Sequence, residues 1–87
     1  MLRPPEFFGE KELDLIYIAK KLREALALEK VLTERSIDYL VEPDTYTGGV
    51  IFRSARIGAF FYVHPDDRER ARAILSHHGY HPYEPSG

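Results

Sequence analysis

Cysteine is absent from this chain. That excludes disulfides, thiolate metal sites and cysteine nucleophiles together. No apolar run approaches the ~20 residues that a membrane-spanning helix needs. The opening residues, with Arg3, Pro4, Pro5 and Glu6, lack the apolar stretch of a signal peptide, so a cytoplasmic soluble protein is the expectation. Positive charge is not in excess either. The formal net charge of −2 predicts no general affinity for nucleic acid and none for anionic membranes. The rest of the composition, 44% hydrophobic and 30% charged, is that of a globular protein. Its 87 residues suffice for one small domain. Such a domain buries only about 60–65% of its unfolded surface, which leaves a modest stability margin.

Residues 1–12 read as an extended arm, because Pro4-Pro5 disfavours a helix. Phe7 and Phe8 in it can cover a core edge or meet a partner. Leu13 to Ala19 reads as a first strand, with Ile16, Tyr17 and Ile18 at its centre. A first helix over Lys20 to Arg35 carries Leu22, Ala25, Leu28 and Leu32 at helical spacing, with Leu26 and Val31 widening the stripe. Ser36 stands where a helix-stopping Gly would be usual. Ile37 to Glu42 reads as a second strand closed by Pro43-Asp44. Residues 43–56 form a long connection in which Gly48-Gly49 marks a tight turn and Val50-Ile51-Phe52 can extend a hairpin. Ile57 to Val63 is a third strand. His64 is placed at a helix N-cap and Pro65 at the first helical position. Asp66, Asp67 and Glu69 favour the positive end of that helix. Ala71, Ile74, Leu75 and His78 form its inward stripe, and Gly79 its stop. Tyr80 to Tyr83 is a short fourth strand, on an edge because it contains Pro82. Residues 84–87 are a tail.

A shift of 43 positions superposes the two halves. It brings Leu28 onto Ala71, Val31 onto Ile74, Leu32 onto Leu75 and Ile37 onto Tyr80. A strand-helix-strand unit used twice predicts a ferredoxin-like α+β domain over 13–83, βαββαβ, with a four-stranded antiparallel sheet and two helices on one face. Alternation along the strands then places Ile57, Ala59, Phe61 and Val63 toward the helices. It leaves Ile16, Ile18, Leu40, Phe60 and Tyr62 on the open face. So apolar a face is unusual for a monomer. It predicts a twofold homodimer joined sheet to sheet, unless the arm covers it within the chain.

The same topology gathers the start of the first helix, the 43–56 connection and the turn at 77–81 on one sheet edge. Lys20, Lys21, Arg23, Arg53 and Arg56 make that edge basic. Gly48 and Gly49 allow close backbone approach, and Tyr46 is a candidate contact. A small phosphate- or carboxylate-bearing ligand is the expected occupant, although no P-loop or Gly-x-Gly-x-x-Gly pattern is present. His77, His78 and His81 are candidate metal ligands at one turn, while His64 lies a helix length away. No pair of carboxylates is spaced as an acid/base dyad, no Ser has a nucleophile-elbow context, and no residue is assigned a catalytic role. No cofactor is predicted.

Other functions of this fold are tested by their chemistry. Tyr17, Phe60 and Tyr62 superficially fit an RNA-stacking surface, but the glycine-aromatic consensus is missing. Metal-chaperone domains need paired cysteines. Acylphosphatase-like chemistry uses an Asn beside an Arg, and the chain has no Asn. An enzyme of the dimeric α/β-barrel type is the alternative, with Tyr17, Tyr62 and His78 as its polar groups. It requires a cavity of ~300 Å³ or more.

The stretch Leu26 to Glu42, with Ala-Leu-Glu-Lys-Val-Leu-Thr-Glu-Arg running into Ser-Ile-Asp-Tyr-Leu-Val-Glu, resembles a family of small prokaryotic signal-transducing proteins related in fold to the nitrogen-regulatory PII proteins. Phe61-Tyr62-Val63-His64-Pro65-Asp66-Asp67 and Arg70-Ala71-Arg72-Ala73-Ile74-Leu75 resemble that family's closing strand and helix. The chain departs from it at Ser36, where the family commonly has Gly, and lacks the nucleotide-binding residues of a true PII protein. The resemblance implies a regulatory or protein-interaction module and transfers no functional residue.

Overall fold

The structure, a computed structural model, describes residues 1–9, 11–48 and 54–83, with the backbone alone described at 45–48 and 54–56. It is α+β. Strand β1 spans Asp14–Ala19, helix α1 Leu22–Glu34, strand β2 Tyr39–Gly48, strand β3 Ser54–Val63 and helix α2 Arg68–His77. Short 3-10 turns lie at Pro5–Phe8 and Pro65–Asp67. The three strands form an antiparallel sheet in the order β1-β3-β2. Both helices pack against β1 and against each other.

Between helices and sheet, Ile16, Leu28, Leu32, Ile37, Tyr39, Phe61, Val63, Ala71 and Leu75 are shut off from solvent. The inward assignments of Ala59, Phe61 and Val63 on β3 hold while Ile57 is exposed, and Tyr39 on β2 is buried on the same side. On α1 the stripe narrows to Ala25, Leu28 and Leu32, because Leu22 and Leu26 stay 75% and 56% exposed.

The 43-residue repeat is visible in how the helices stop. Ile37 N–H donates to the Leu32 carbonyl at 3.0 Å and Ser36 N–H to Thr33 at 3.1 Å; Tyr80 N–H donates to Leu75 at 2.9 Å and Gly79 N–H to Ser76 at 3.1 Å. Both are Schellman stops, in which a left-handed residue lets the chain turn back on the last helical carbonyls. Gly79 reaches φ +85° without penalty, while Ser36 holds φ +59° with a side chain attached. The second helix opens as expected in one respect: His64 Nδ1 accepts the Asp66 N–H at 3.0 Å. The turn that follows Pro65 is 3-10 before it becomes α at Arg68.

Three expectations change. β2 does not end at Pro43. It continues to Gly48 and pairs with β3 from Tyr39↔Val63 to Gly48↔Ser54, so most of the connection over 43–56 is a β-hairpin. Tyr39 turns its N–H and C=O to the outer side of β2, and so, by alternation, does position 43. The N–H that proline lacks would have faced away from β3, where edge strands tolerate proline.

The second change is in β1. Leu15 pairs with Tyr62 and Tyr17 with Phe61, leaving Ile16 as the extra residue of a β-bulge. The bulge resets the alternation. Ile16 is fully buried in the core, with Tyr17 packed against it, and is not on the open face; Leu15 moves to the side of Tyr62. The third change is the fourth strand. Among the described residues Tyr80–Tyr83 form none. The segment still reaches β1, where the Tyr83 N–H donates to the Ile16 carbonyl at 2.6 Å. Pro82 has no N–H to extend this into a ladder, and the bulge disturbs the facing edge.

The face away from the helices is not bare. Leu40 and Phe60 are buried there, outside the main core cluster. The chain before β1 runs beside β2: Leu2 bridges Tyr39 in parallel, with Tyr39 N–H donating to Met1 at 3.0 Å and Arg3 N–H to Tyr39 at 2.8 Å. Since β1 lies on the opposite edge, the chain then crosses the sheet, and it buries Phe8 on the way. Phe8 and Phe7 share a shallow pocket with Asp38 and His64, both on the open side by alternation with inward Tyr39 and Val63. Ile18 and Tyr62 are half-buried.

Candidate functional site

The edge at the C-terminal end of β1 is shaped by two chain reversals. β1 ends at Ala19, and α1 begins three residues later at Leu22. α2 arrives from the other end of the sheet and stops at Gly79, which lays Tyr80 back over the first helix. Lys21, Arg23, Glu24, Ala27 and Tyr80 line a cleft of about 520 Å³ there. Lys21 and Arg23 from the start of α1 and Tyr80 from the turn after α2 thus line one cleft.

The charges in the cleft are unequal in their commitments. The Glu24 carboxylate accepts the Lys20 N–H at 3.2 Å and stands close enough to the Tyr17 hydroxyl to act on it electrostatically. The Lys21 and Arg23 side chains have no hydrogen-bond or ion-pair partner among the described residues. Tyr17 stands edge-to-face with Tyr80, ring centroids 5.6 Å apart. Its phenol is pushed up to about 12, by burial first, then by the Glu24 carboxylate and by Tyr80. The cleft therefore presents two uncommitted cationic side chains beside the Glu24 carboxylate and the Tyr80 ring.

Other predicted site residues are dispersed. Lys20 is exposed at the turn into α1 and does not line the cleft. Gly49 and Arg53, with Val50, Ile51 and Phe52, lie outside the described residues. Tyr46 pairs with Arg56, and Gly48 with Ser54, along the hairpin, and their side chains lie outside the described residues. His78 caps α2 and is exposed rather than inward. Its ring stands edge-to-face with that of His77 at 5.5 Å, and His81 is also exposed. Among the described residues no three His, Cys, Asp or Glu side chains form a group able to hold a metal ion. Tyr17, Tyr62 and His78 do not converge. Tyr17 packs on the helix side, Tyr62 lies on the opposite face, and His78 sits beyond the end of α2.

Of the expected interface residues, Ile16 is in the core, Leu40 and Phe60 are covered within the chain, and Ile18 and Tyr62 keep partial exposure. The Tyr62 phenol is raised by burial and by the nearby Glu42 and Asp44 carboxylates. Sequence reasoning did not assign Glu24 to the site, and it placed Tyr80 within the 77–81 turn without giving it a role of its own. The i to i+4 spacing of Lys20 and Glu24 across the helix start was the available signal for the first. The Gly79 stop, which sends the next residue back over the helix, was the signal for the second. Among the described residues no helix is long and apolar enough to cross a membrane. No family model, no curated protein and no solved structure matches the chain.

Proposed function

We propose that this is a ferredoxin-like regulatory module that binds a small anionic ligand in the cleft of Lys21, Arg23 and Tyr80. The observation that carries the reading is the pair of cations without protein partners on the rim of a cleft large enough for a small molecule. A phosphate or carboxylate pairs with Lys21 and Arg23, and an apolar or planar body lies against Tyr80 and Ala27. The fold assignment rests on the doubled helix stop and on the approach of Tyr83 to the outer edge of β1, the position of a fourth strand in that topology. The resemblance to small signal-transducing proteins supports the same functional class, a cytoplasmic module that works through a ligand or a protein partner.

The test is a thermal-shift and NMR titration with inorganic phosphate, nucleotides and small carboxylates. The expected result is a saturable shift that is lost in Lys21→Ala/Arg23→Ala and weakened by added salt. If none of these ligands moves the amides of 20–27 or Tyr80, the anion site is wrong and a protein partner is the remaining reading.

A further inference from the structure

The cleft between α1 and Tyr80 carries charges of both signs, which narrows what can fill it. Lys21, Arg23 and Glu24 line it together with Ala27 and Tyr80. Lys21 is the N-cap of α1 and Glu24 its third residue, positions whose side chains can reach each other across the first turn. Even so, no ion pair joins Glu24 to Lys21 or to Arg23 among the described residues. Glu24 reaches back to the Lys20 N–H instead, at 3.2 Å. A carboxylate has room for about four hydrogen bonds, so acceptor capacity remains. Tyr80 adds an aromatic wall, steadied by its edge-to-face contact with Tyr17 at 5.6 Å, and Ala27 adds little bulk. A simple dianion such as phosphate would satisfy the two cations but meet Glu24 as a like charge. An amine would do the reverse.

The geometry points to a free α-amino acid with an apolar or aromatic side chain as the ligand. Its carboxylate pairs with Lys21 and Arg23, its ammonium donates to Glu24, and its side chain lies against Tyr80 and Ala27. This rests on the anion-binding reading of the same cleft and adds to it a cationic group on the ligand. Every charge lining the cleft then meets its opposite, and both contacts are charge-assisted. Glu24 is half-buried, so its contact with the ammonium is less screened than an ion pair on the open surface. The same carboxylate discriminates, because a ligand lacking the ammonium leaves it unpaired against the ligand's own negative charge. The cleft, at about 520 Å³, lies within the usual ~300–1,000 Å³ of small-molecule sites.

Three probes with a common ring separate the charges. L-phenylalanine carries carboxylate and ammonium, hydrocinnamate the carboxylate alone, and phenethylamine the ammonium alone. Each is titrated into the isotope-labelled chain at neutral pH and followed by NMR. L-phenylalanine should move the amides of 21–27 and Tyr80 saturably, with a Kd about tenfold or more below that of either analogue, the worth of one charge-assisted hydrogen bond. Glu24→Gln keeps an acceptor for the Lys20 N–H and removes the charge. It should weaken L-phenylalanine to the level of hydrocinnamate without weakening hydrocinnamate, a selective loss that general damage to the helix start would not produce. If L-phenylalanine binds the wild-type chain no tighter than hydrocinnamate, or keeps its advantage in Glu24→Gln, the amino-acid inference is overturned and the anion site stands. If Glu24→Gln fails to fold, the wild-type ratio decides. Failure of all three probes and of inorganic phosphate overturns the anion site as well.

Discussion

Three tyrosines sit where their hydroxyls are partly withdrawn from water. Tyr17, Tyr39 and Tyr62 are all raised above the usual value, and in each the first cause is burial. They are satisfied in different ways. The Tyr39 hydroxyl lies 3.3 Å from the Glu29 carbonyl and 3.3 Å from Thr33 Oγ1, so it serves as an anchor between β2 and α1. Tyr17 is withdrawn from water and lies near the Glu24 carboxylate, and its raised pKa sets a pH limit. Its phenol ionises near 10 in the unfolded chain and at about 12 in the folded one. Below the first value it is neutral in both states and its contribution is complete. As pH rises between the two values the unfolded chain loses the proton first, and stability falls. Denaturant unfolding measured from neutral pH into this window should show a declining free energy in the wild type and a shallower decline in Tyr17→Phe. The same slope in both would mean that Tyr17 is not held protonated. Tyr39 and Tyr62 act in the same direction, so the slope should flatten without vanishing.

The elements show which instructions are local. Both helix stops were readable because a Schellman reversal needs one residue of left-handed backbone, and the repeat aligns Ser36 with Gly79. The two positions perform the same task with unequal fitness. A side chain in the left-handed region costs about 1–2 kcal/mol, and glycine's greater freedom in the unfolded chain returns up to about 1. Ser36→Gly should therefore stabilise the fold by roughly 0.5–1 kcal/mol, and Gly79→Ser should destabilise it by at least as much, both read from urea midpoints. A Cβ built at Gly79 meets nothing within 4 Å, so its loss would be backbone strain alone. Loss of stability in Ser36→Gly would mean that the serine side chain makes a contact that outweighs the strain. The bulge at Ile16 had no such local signal. Leu15 to Ala19 is apolar at every position, so period-2 reading could not tell which residue the sheet would leave unpaired. That choice came from the need to place Ile16, Tyr17 and Ala19 all against the helices. Pro43 misled for a related reason. A proline ends an interior strand, but β2 is an edge, and edge status is a property of the whole sheet. The cleft was legible only in part: Lys21 and Arg23 follow from topology, whereas the approach of Glu24 to Tyr17 depends on how α1 lies on β1.

At the scale of the molecule the sheet is longer than its core. The pairing of β1 with β3 ends at Ala19↔Ala59, while β2 and β3 remain paired out to Gly48↔Ser54. Among the described side chains, the strand residues of the main buried cluster lie at or before the level of Ala59. Ile57, one pair beyond Asp44↔Gly58, is 74% exposed although its strand position points to the helix side. At Ile57, then, no helix covers the sheet. Replacing residues 45–57 by Asn-Gly, a turn suited to closing the pair Asp44↔Gly58, should leave the unfolding free energy within about 1 kcal/mol of the parent, because the shorter loop also lowers the entropy of closure. A cooperative loss of several kcal/mol in that variant would show that the hairpin packs on the domain. The same variant sorts the candidate site. Lys21, Arg23, Glu24 and Tyr80 all come from α1 and the turn after α2, so an anion-induced shift should survive the shortening with little change in midpoint. If it disappears while the fold is retained, the ligand is held by the hairpin as well as by the cleft, and the basic edge inferred from Arg53 and Arg56 belongs to the site after all.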